Sequence, residues 1–309
     1  MAAQDPTSFH PTPPPTFIDD KSPHCIPFII SQLHTYQSQL PQGSTRPFII
    51  GLNGVQGAGK TTLVSALSQT LRGTEGLETL VLSIDDLYLT REQQVNLAGE
   101  HADNKLVQHR GEPGTHDMTL ARSVISSLLS NKETKIPSYD KSQLSGLGDR
   151  AHVSTWQTVN TPSSPPIRVI ILEGWCIGFR SLLPSVLSTK FTSPSLTLQN
   201  HSLSHLEFVN ESLRDYDVLT DEYDAFIHID AEDTRWVYEW REQQEAALRR
   251  EKGKVMSEEE VRTFVDGYFP AYELYVEGVR GGVLKEKGEG RQLRLVVGRD
   301  RKVKEVIKI

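Results

Sequence analysis

One segment constrains the fold of this chain more than any other. Gly54-Val55-Gln56-Gly57-Ala58-Gly59-Lys60-Thr61 satisfies the pattern G-x-x-x-x-G-K-[ST] in full. Its glycines permit a tight turn in which several backbone N–H groups converge on phosphate oxygens. A helix starting at Lys60 adds its positive dipole end. Lys60 is placed to bridge the two outer phosphates of a nucleotide, the Thr61 hydroxyl to ligate Mg²⁺, and Thr62 to complete the cradle. The flanks agree: Pro47-Phe48-Ile49-Ile50-Gly51 reads as a buried strand, and Leu63, Val64, Leu67 and Leu71 recur at helical spacing. A Gly-rich turn matching by chance carries neither flank.

Further short apolar runs at Thr79–Ile84, Arg168–Leu172, Ala225–Ile229 and Gln292–Val297 suit strands covered on both faces. Helical patterns over 117–130, 232–252 and 257–267 fall between them. Alternation of this kind predicts an α/β fold of the P-loop NTPase type, a parallel sheet with helices on both faces. Residues 1–21, centred on Pro11-Thr12-Pro13-Pro14-Pro15, read as a flexible tail, and 22–39 as a short helix packed on a single kinase-sized domain, 22–309. The Ser/Pro/Thr-rich stretches 161–166 and 187–205 read as surface insertions.

Lys plus Arg total 33 against 40 Asp plus Glu, a net charge of −7. That balance argues against nucleic-acid or anionic-membrane partners. No apolar run approaches the roughly 20 residues that span a bilayer. With Cys25 and Cys176 alone, no disulfide framework is readable, and the N-terminus lacks a secretory pattern. The expectation is a cytoplasmic protein, the nucleus remaining open to it.

Asp85 and Asp86 follow the second strand, at the end where parallel sheets bind ligands. A kinase acting on an alcohol needs a carboxylate beside the attacking hydroxyl, a role assigned to Asp85, with Asp86 left as a substrate or metal-water ligand. As plain structure the pair would be helix caps. Arg168-Val-Ile-Ile-Leu-Glu173-Gly174 ends a hydrophobic strand in an acid, placing Glu173 in the Mg²⁺ shell; Trp175 and Cys176 read as packing residues.

Residues 232–270 read as a two-helix lid joined at Gly253, its second helix opening on the capping box Ser257-Glu-Glu-Glu260. Arg235 and Arg241 are six apart, about 120° around a regular helix, so one alone can face a given phosphate. Arg241 is the better placed, the alternative being a solvated charged helix.

Across 47–280 the chain resembles the plant-type glycerate kinases and fungal ATP-dependent kinases, themselves allied to uridine kinase, phosphoribulokinase and pantothenate kinase. The segments that carry the resemblance are Ser83-Ile-Asp85-Asp86-Leu-Tyr88, Arg110-Gly-Glu-Pro-Gly-Thr-His116-Asp117, Pro137-Ser-Tyr139-Asp140-Lys141-Ser142, Gly148-Asp149-Arg150, Glu173-Gly174-Trp175, Trp240-Arg241 and Phe269-Pro-Ala-Tyr272-Glu-Leu-Tyr275. It implies transfer of the ATP γ-phosphoryl group to the 3-hydroxyl of D-glycerate, with Mg²⁺, and places Tyr88, Asp117 and Tyr139 near the acceptor. Arg110, His116, Lys141 and Arg150 would supply cations to an anionic acceptor. Leu87 stands where the family has Phe, and Leu147 where the plant enzymes have Arg. Pantothenate, nucleosides or other hydroxy acids are the alternative acceptors.

Rival classes lack their signatures. A GTPase needs Asn-Lys-x-Asp, and Asn131-Lys132-Glu133-Thr134 ends in Thr; Leu144-Ser145-Gly146 hints at a transporter ATPase but Gly148-Asp149-Arg150 follows it. A non-catalytic ATP-binding protein would not need both Asp85 and Glu173.

Overall fold

The structure, a computed structural model, describes residues 19–252 and 256–309. Its strands are β1 (Phe48–Gly54), β2 (Thr79–Ser83), β3 (Thr134–Ile136), β4 (Tyr139–Asp140), β5 (Asp149–Arg150), β6 (Gln157–Val159), β7 (Val169–Gly174), β8 (Ala225–Ala231), β9 (Gln292–Val297) and β10 (Val303–Lys308). Six of them make one sheet in the order β10-β9-β8-β1-β7-β2, parallel except for β10 against β9. Every residue of β1 and β8 is buried. Successive strand side chains point to opposite faces, so both faces of the sheet centre are covered.

The helices are α1 (Ser22–Gln39), α2 (Lys60–Gly73), α3 (Arg91–Glu100), α4 (Met118–Leu129), α5 (Pro184–Thr192), α6 (Leu203–Ser212), α7 (Asp217–Thr220), α8 (Trp236–Lys252), α9 (Glu258–Asp266) and α10 (Phe269–Arg280). The expected strands and helices are all present, shifted by a few residues at their ends. Of the expected tail, 1–18 lie outside the described residues, as does the Gly253 joint. Residues 19–21 correct its boundary: Lys21 is buried, its ammonium donates to the Arg301 carbonyl at 2.7 Å, and Asp20 accepts from the Val303 amide. The 187–205 stretch is also corrected, since it holds the end of α5 and the start of α6 and buries Leu187 and Leu198 in the core. Serines and threonines masked helices whose apolar face is only a few residues wide.

Register brings the chemistry together. Asn53 and Ser83 flank β7 opposite Gly174 and Glu173, so the phosphate loop, Asp85 and Glu173 emerge from adjacent strands at one edge of the sheet. Asn53, buried, donates to the carbonyls of Trp175 and Ile177 at 3.1 and 2.6 Å and fixes the turn after β7.

Candidate active site

The loop from Gly54 to Lys60 is built as its glycines predict. Gly57 has φ +80° and Gly59, the residue before α2, has φ +96°. A Cβ at Gly57 would lie 2.7 Å from the Trp240 Cβ, so α8 packs where only glycine fits. The side chains of Val55 and Ala58 are buried beneath the loop, leaving backbone to face the cleft. Gln56, Lys60, Thr61 and Thr62 line that cleft, a cavity of 1770 Å³. Such a volume exceeds an ordinary small-molecule pocket of roughly 300–1,000 Å³ and accommodates a nucleotide with an acceptor. The Lys60 ammonium donates to the Gly54 and Val55 carbonyls at 2.7 and 3.3 Å. Burial lowers its pKa, against the pull of Glu173 and Asp85.

Asp85 is the second residue of a 3₁₀ turn, Ile84–Leu87, that follows β2, its amide 3.4 Å from the Ser83 hydroxyl. Its carboxylate accepts from Lys141 at 2.5 Å, and both line the cleft with Glu173. Burial pushes the Asp85 carboxyl up, but Lys141, with smaller contributions from His116 and Tyr88, holds the group below its ordinary value. Asp85 is therefore ionised at neutral pH. Thr61 and Glu173 are hard oxygen donors of the type Mg²⁺ takes alongside phosphates and waters. Both line the same cleft as the phosphate loop, so this small donor set fits a metal that arrives with phosphate oxygens.

Of the residues expected to bind the acceptor, the structure brings Tyr88, Arg110, Tyr139 and Lys141 to the cleft. Arg110 lies over the Tyr139 ring at 5.5 Å and donates to the Leu147 carbonyl. The other four are turned elsewhere. Asp86 accepts from the Tyr139 amide at 3.0 Å and faces a small apolar space between Leu87 and Ala121, so it props the acceptor loop from behind. His116 is buried, stacks on Tyr88 at 4.4 Å and shares a 2.5 Å hydrogen bond with Tyr216. Burial drives its pKa down to about 4, so it supplies no cation. Asp117 caps α4 through the Leu120 amide and pairs with Arg150 at 2.9 Å. Arg150 spends its guanidinium on Asp117 and the Tyr88 carbonyl.

These last contacts give a testable outcome. Asp117→Ala removes a helix cap and strands Arg150, and should cost about 2–4 kcal/mol of stability in urea unfolding. An acceptor KM that rises with stability intact would instead mean direct contact.

Arg241 on α8 lines the cleft, pairs with Glu245 and lies over Phe264 of α9 at 4.8 Å. Arg235 is exposed and spends itself on Asp233 at 2.6 Å. Arg235 precedes α8, so the two diverge through the Arg235–Asp233 pair rather than through an angular separation on one helix. Arg241→Ala should lower kcat by about 10–100-fold with a smaller change in ATP affinity. Arg235→Ala should change neither, and equal losses would contradict the assignment. The capping box at Ser257 and Glu260 is present.

Three residues were missed in the sequence. Trp175 is buried in the core, as its packing reading has it, and also lines the cleft; Glu112 is buried and lines it too. Arg301 reaches from the β9–β10 turn to the Gly57 carbonyl at 2.7 Å and lies over Trp240. No motif marks Arg301, because its place depends on an edge strand far along the chain. For Glu112 the signal was present: an acid inside the Arg110–Asp117 segment that tracks beside Tyr88.

No protein-family model matches the chain. It is 39% identical over 254 residues to an uncharacterized kinase, mug58, of Schizosaccharomyces pombe, covering 81% of this chain and 89% of that one. Identity to the chloroplastic D-glycerate 3-kinase of Arabidopsis thaliana is 39% over 261 residues, 81% of this chain but 54% of that protein. The solved D-glycerate 3-kinase of Cryptococcus neoformans superposes with a TM-score of 0.82 at 31% identity, over 93% of this chain and 99% of that one. A parallel sheet carrying a complete phosphate loop, with the Schizosaccharomyces and Cryptococcus relatives matched over 89% and 99% of their lengths, gives the assignment: the chain belongs to the ATP-dependent kinases of the glycerate 3-kinase and uridine kinase family.

Proposed function

We propose that this kinase transfers the γ-phosphoryl group of ATP to the 3-hydroxyl of D-glycerate. The observation that carries the reading is Asp85: an ionised carboxylate, tied to Lys141, in one cleft with the phosphate-loop lysine and Arg110. Such a cleft suits an acceptor with a hydroxyl to deprotonate and a negative charge to hold. The relatives named D-glycerate 3-kinase support the choice of acid.

In this mechanism the loop amides and Lys60 hold the β- and γ-phosphates, while Arg241 stands over the charge that develops on transfer. The acceptor's O–H bond breaks as its proton passes to Asp85. A new bond forms from that oxygen to the γ-phosphorus, and the bond to the β-bridging oxygen breaks to release ADP. Thr61 and Glu173 would hold Mg²⁺ together with the phosphates, and the bound ion would supply neutralisation of charge on the transferring group. Arg110 takes the acceptor's carboxylate, a charge-assisted contact. The lid role of α8 and α9 belongs to the same proposal.

The test is ADP formation by purified protein with glycerate, pantothenate, uridine and sugar acids in parallel. Turnover with glycerate at a kcat/KM well above the others supports the reading. Turnover with uridine and no hydroxy acid would discard glycerate and keep the kinase.

A further inference from the structure

One residue of the cleft stands where folding alone does not favour it. Arg301, in the turn between β9 and β10, has φ +63°. That left-handed region crowds the Cβ of an L residue, and glycine or asparagine is the usual occupant of such a turn position. The turn is nonetheless tightly held. The Arg301 amide donates to the Gly298 carbonyl at 2.8 Å, and the Gly298 amide donates to the Lys302 carbonyl at 2.9 Å. The buried Lys21 ammonium donates to the Arg301 carbonyl at 2.7 Å, and the Trp240 indole N–H of α8 to the Arg299 carbonyl at 2.8 Å. An arginine kept in a strained conformation by contacts on several sides points to a use for its side chain.

That side chain reaches the phosphate loop, 244 residues away in sequence. Its Nε–H donates to the Gly57 carbonyl at 2.7 Å, its guanidinium lies 5.1 Å from the Trp240 ring centroid, and the residue lines the cleft. Among the described residues no other group donates to the Gly57 oxygen. That oxygen and the Ala58 amide belong to one planar peptide, so holding the first sets the direction of the second. The Ala58 amide closes the turn onto the Val55 carbonyl at 3.2 Å. Gly57 and Gly59, at φ +80° and +96°, stand on either side, and glycine's wide conformational freedom leaves such a peptide loose unless something outside the loop holds it.

We propose that Arg301 is a positioning residue of the phosphate loop: its Nε–H pins the peptide joining Gly57 to Ala58, so that the loop amides are arrayed before the nucleotide arrives. A loop ordered in advance loses less conformational entropy on binding than one its ligand must order. The benefit therefore falls on nucleotide affinity and not on the transfer step. It does not depend on which acceptor is phosphorylated. It also differs from a charge contact to the nucleotide: such a contact needs the guanidinium, whereas the tether needs only a donor at the Nε position.

The experiment measures ATP and ADP dissociation constants by calorimetry, without acceptor, for wild type, Arg301→Met and Arg301→Gln, with thermal melting of each protein. Glutamine carries an N–H donor at the same place along the side chain as the arginine Nε, without the charge; methionine has similar length and no donor. Arg301→Met should weaken both nucleotides by about 10-fold, the scale of one hydrogen bond from a charged group. Arg301→Gln should recover most of that loss. Hydrogen exchange of the amides of residues 55–60 in the nucleotide-free protein should be faster in Arg301→Met than in Arg301→Gln. In turnover the Arg301→Met loss should appear in the KM for ATP, with kcat changed far less. Undiminished nucleotide affinity in Arg301→Met overturns the proposal, and a lower melting temperature beside that affinity would mark a purely structural role. Equal losses in Arg301→Met and Arg301→Gln overturn it too, because the charge, and not the tether, would then act on the nucleotide.

Discussion

Lys60→Ala should lower ATP turnover by at least about 100-fold while the protein stays folded. The expected loss is large because the ammonium is a point charge aimed at phosphates inside a cleft, where it meets less screening than in water. In the structure it folds back onto the Gly54 and Val55 carbonyls. Those two contacts are what folding loses on truncation, and net hydrogen bonds of this kind are worth only about 1 kcal/mol. The backbone N–H cradle does not depend on the side chain, since Gly57 and Gly59 set its shape. Nucleotide binding should therefore weaken less than turnover. Circular dichroism and a melting curve establish that the variant is folded; near-wild-type turnover by that folded protein would remove the phosphate-loop assignment.

The fold was legible where local pattern and tertiary role coincide. The strand, glycine turn and helix around Lys60 each announce themselves in sequence, because burial on both faces demands continuous apolar runs and the phosphate demands glycine. β10 was not legible: Val303–Lys308 is a mostly exposed, charged antiparallel edge with no apolar run to reveal it. The site divides in the same way. Asp85 and Glu173 could be read from their place at strand ends, a rule of topology. The acceptor loops could not be sorted, because Arg110 and Arg150 look alike in sequence. Their difference lies in partners: Arg150 is consumed by Asp117, which is itself committed to the start of α4. Likewise Asp85 and Asp86 are adjacent and identical in type. The tight 3₁₀ turn sends one toward Lys141 and the other toward the Tyr139 amide.

That divergence sets up the second large effect. Asp85→Asn keeps the shape of the side chain but can no longer take the acceptor's proton, so kcat should fall by about 10²–10⁴-fold. ATP affinity should change little. Asp86→Asn keeps an oxygen that can accept from the Tyr139 amide and should cost far less; the reverse ranking would mean that Asp86, not Asp85, meets the acceptor. The pH profile gives a second handle. A base acts only when ionised, and the Asp85 pKa in the unliganded protein lies below its ordinary value, so the acid limb of kcat/KM in wild type should fall below the usual carboxylate range. Burial alone would raise that pKa; Lys141 is the largest of the groups that reverse the direction, with His116 and Tyr88 behind it. Lys141→Met removes the opposing charge, so the acid limb should move upward in pH. An acid limb that stays in place in Lys141→Met would show that the group governing it is not the carboxylate this lysine holds.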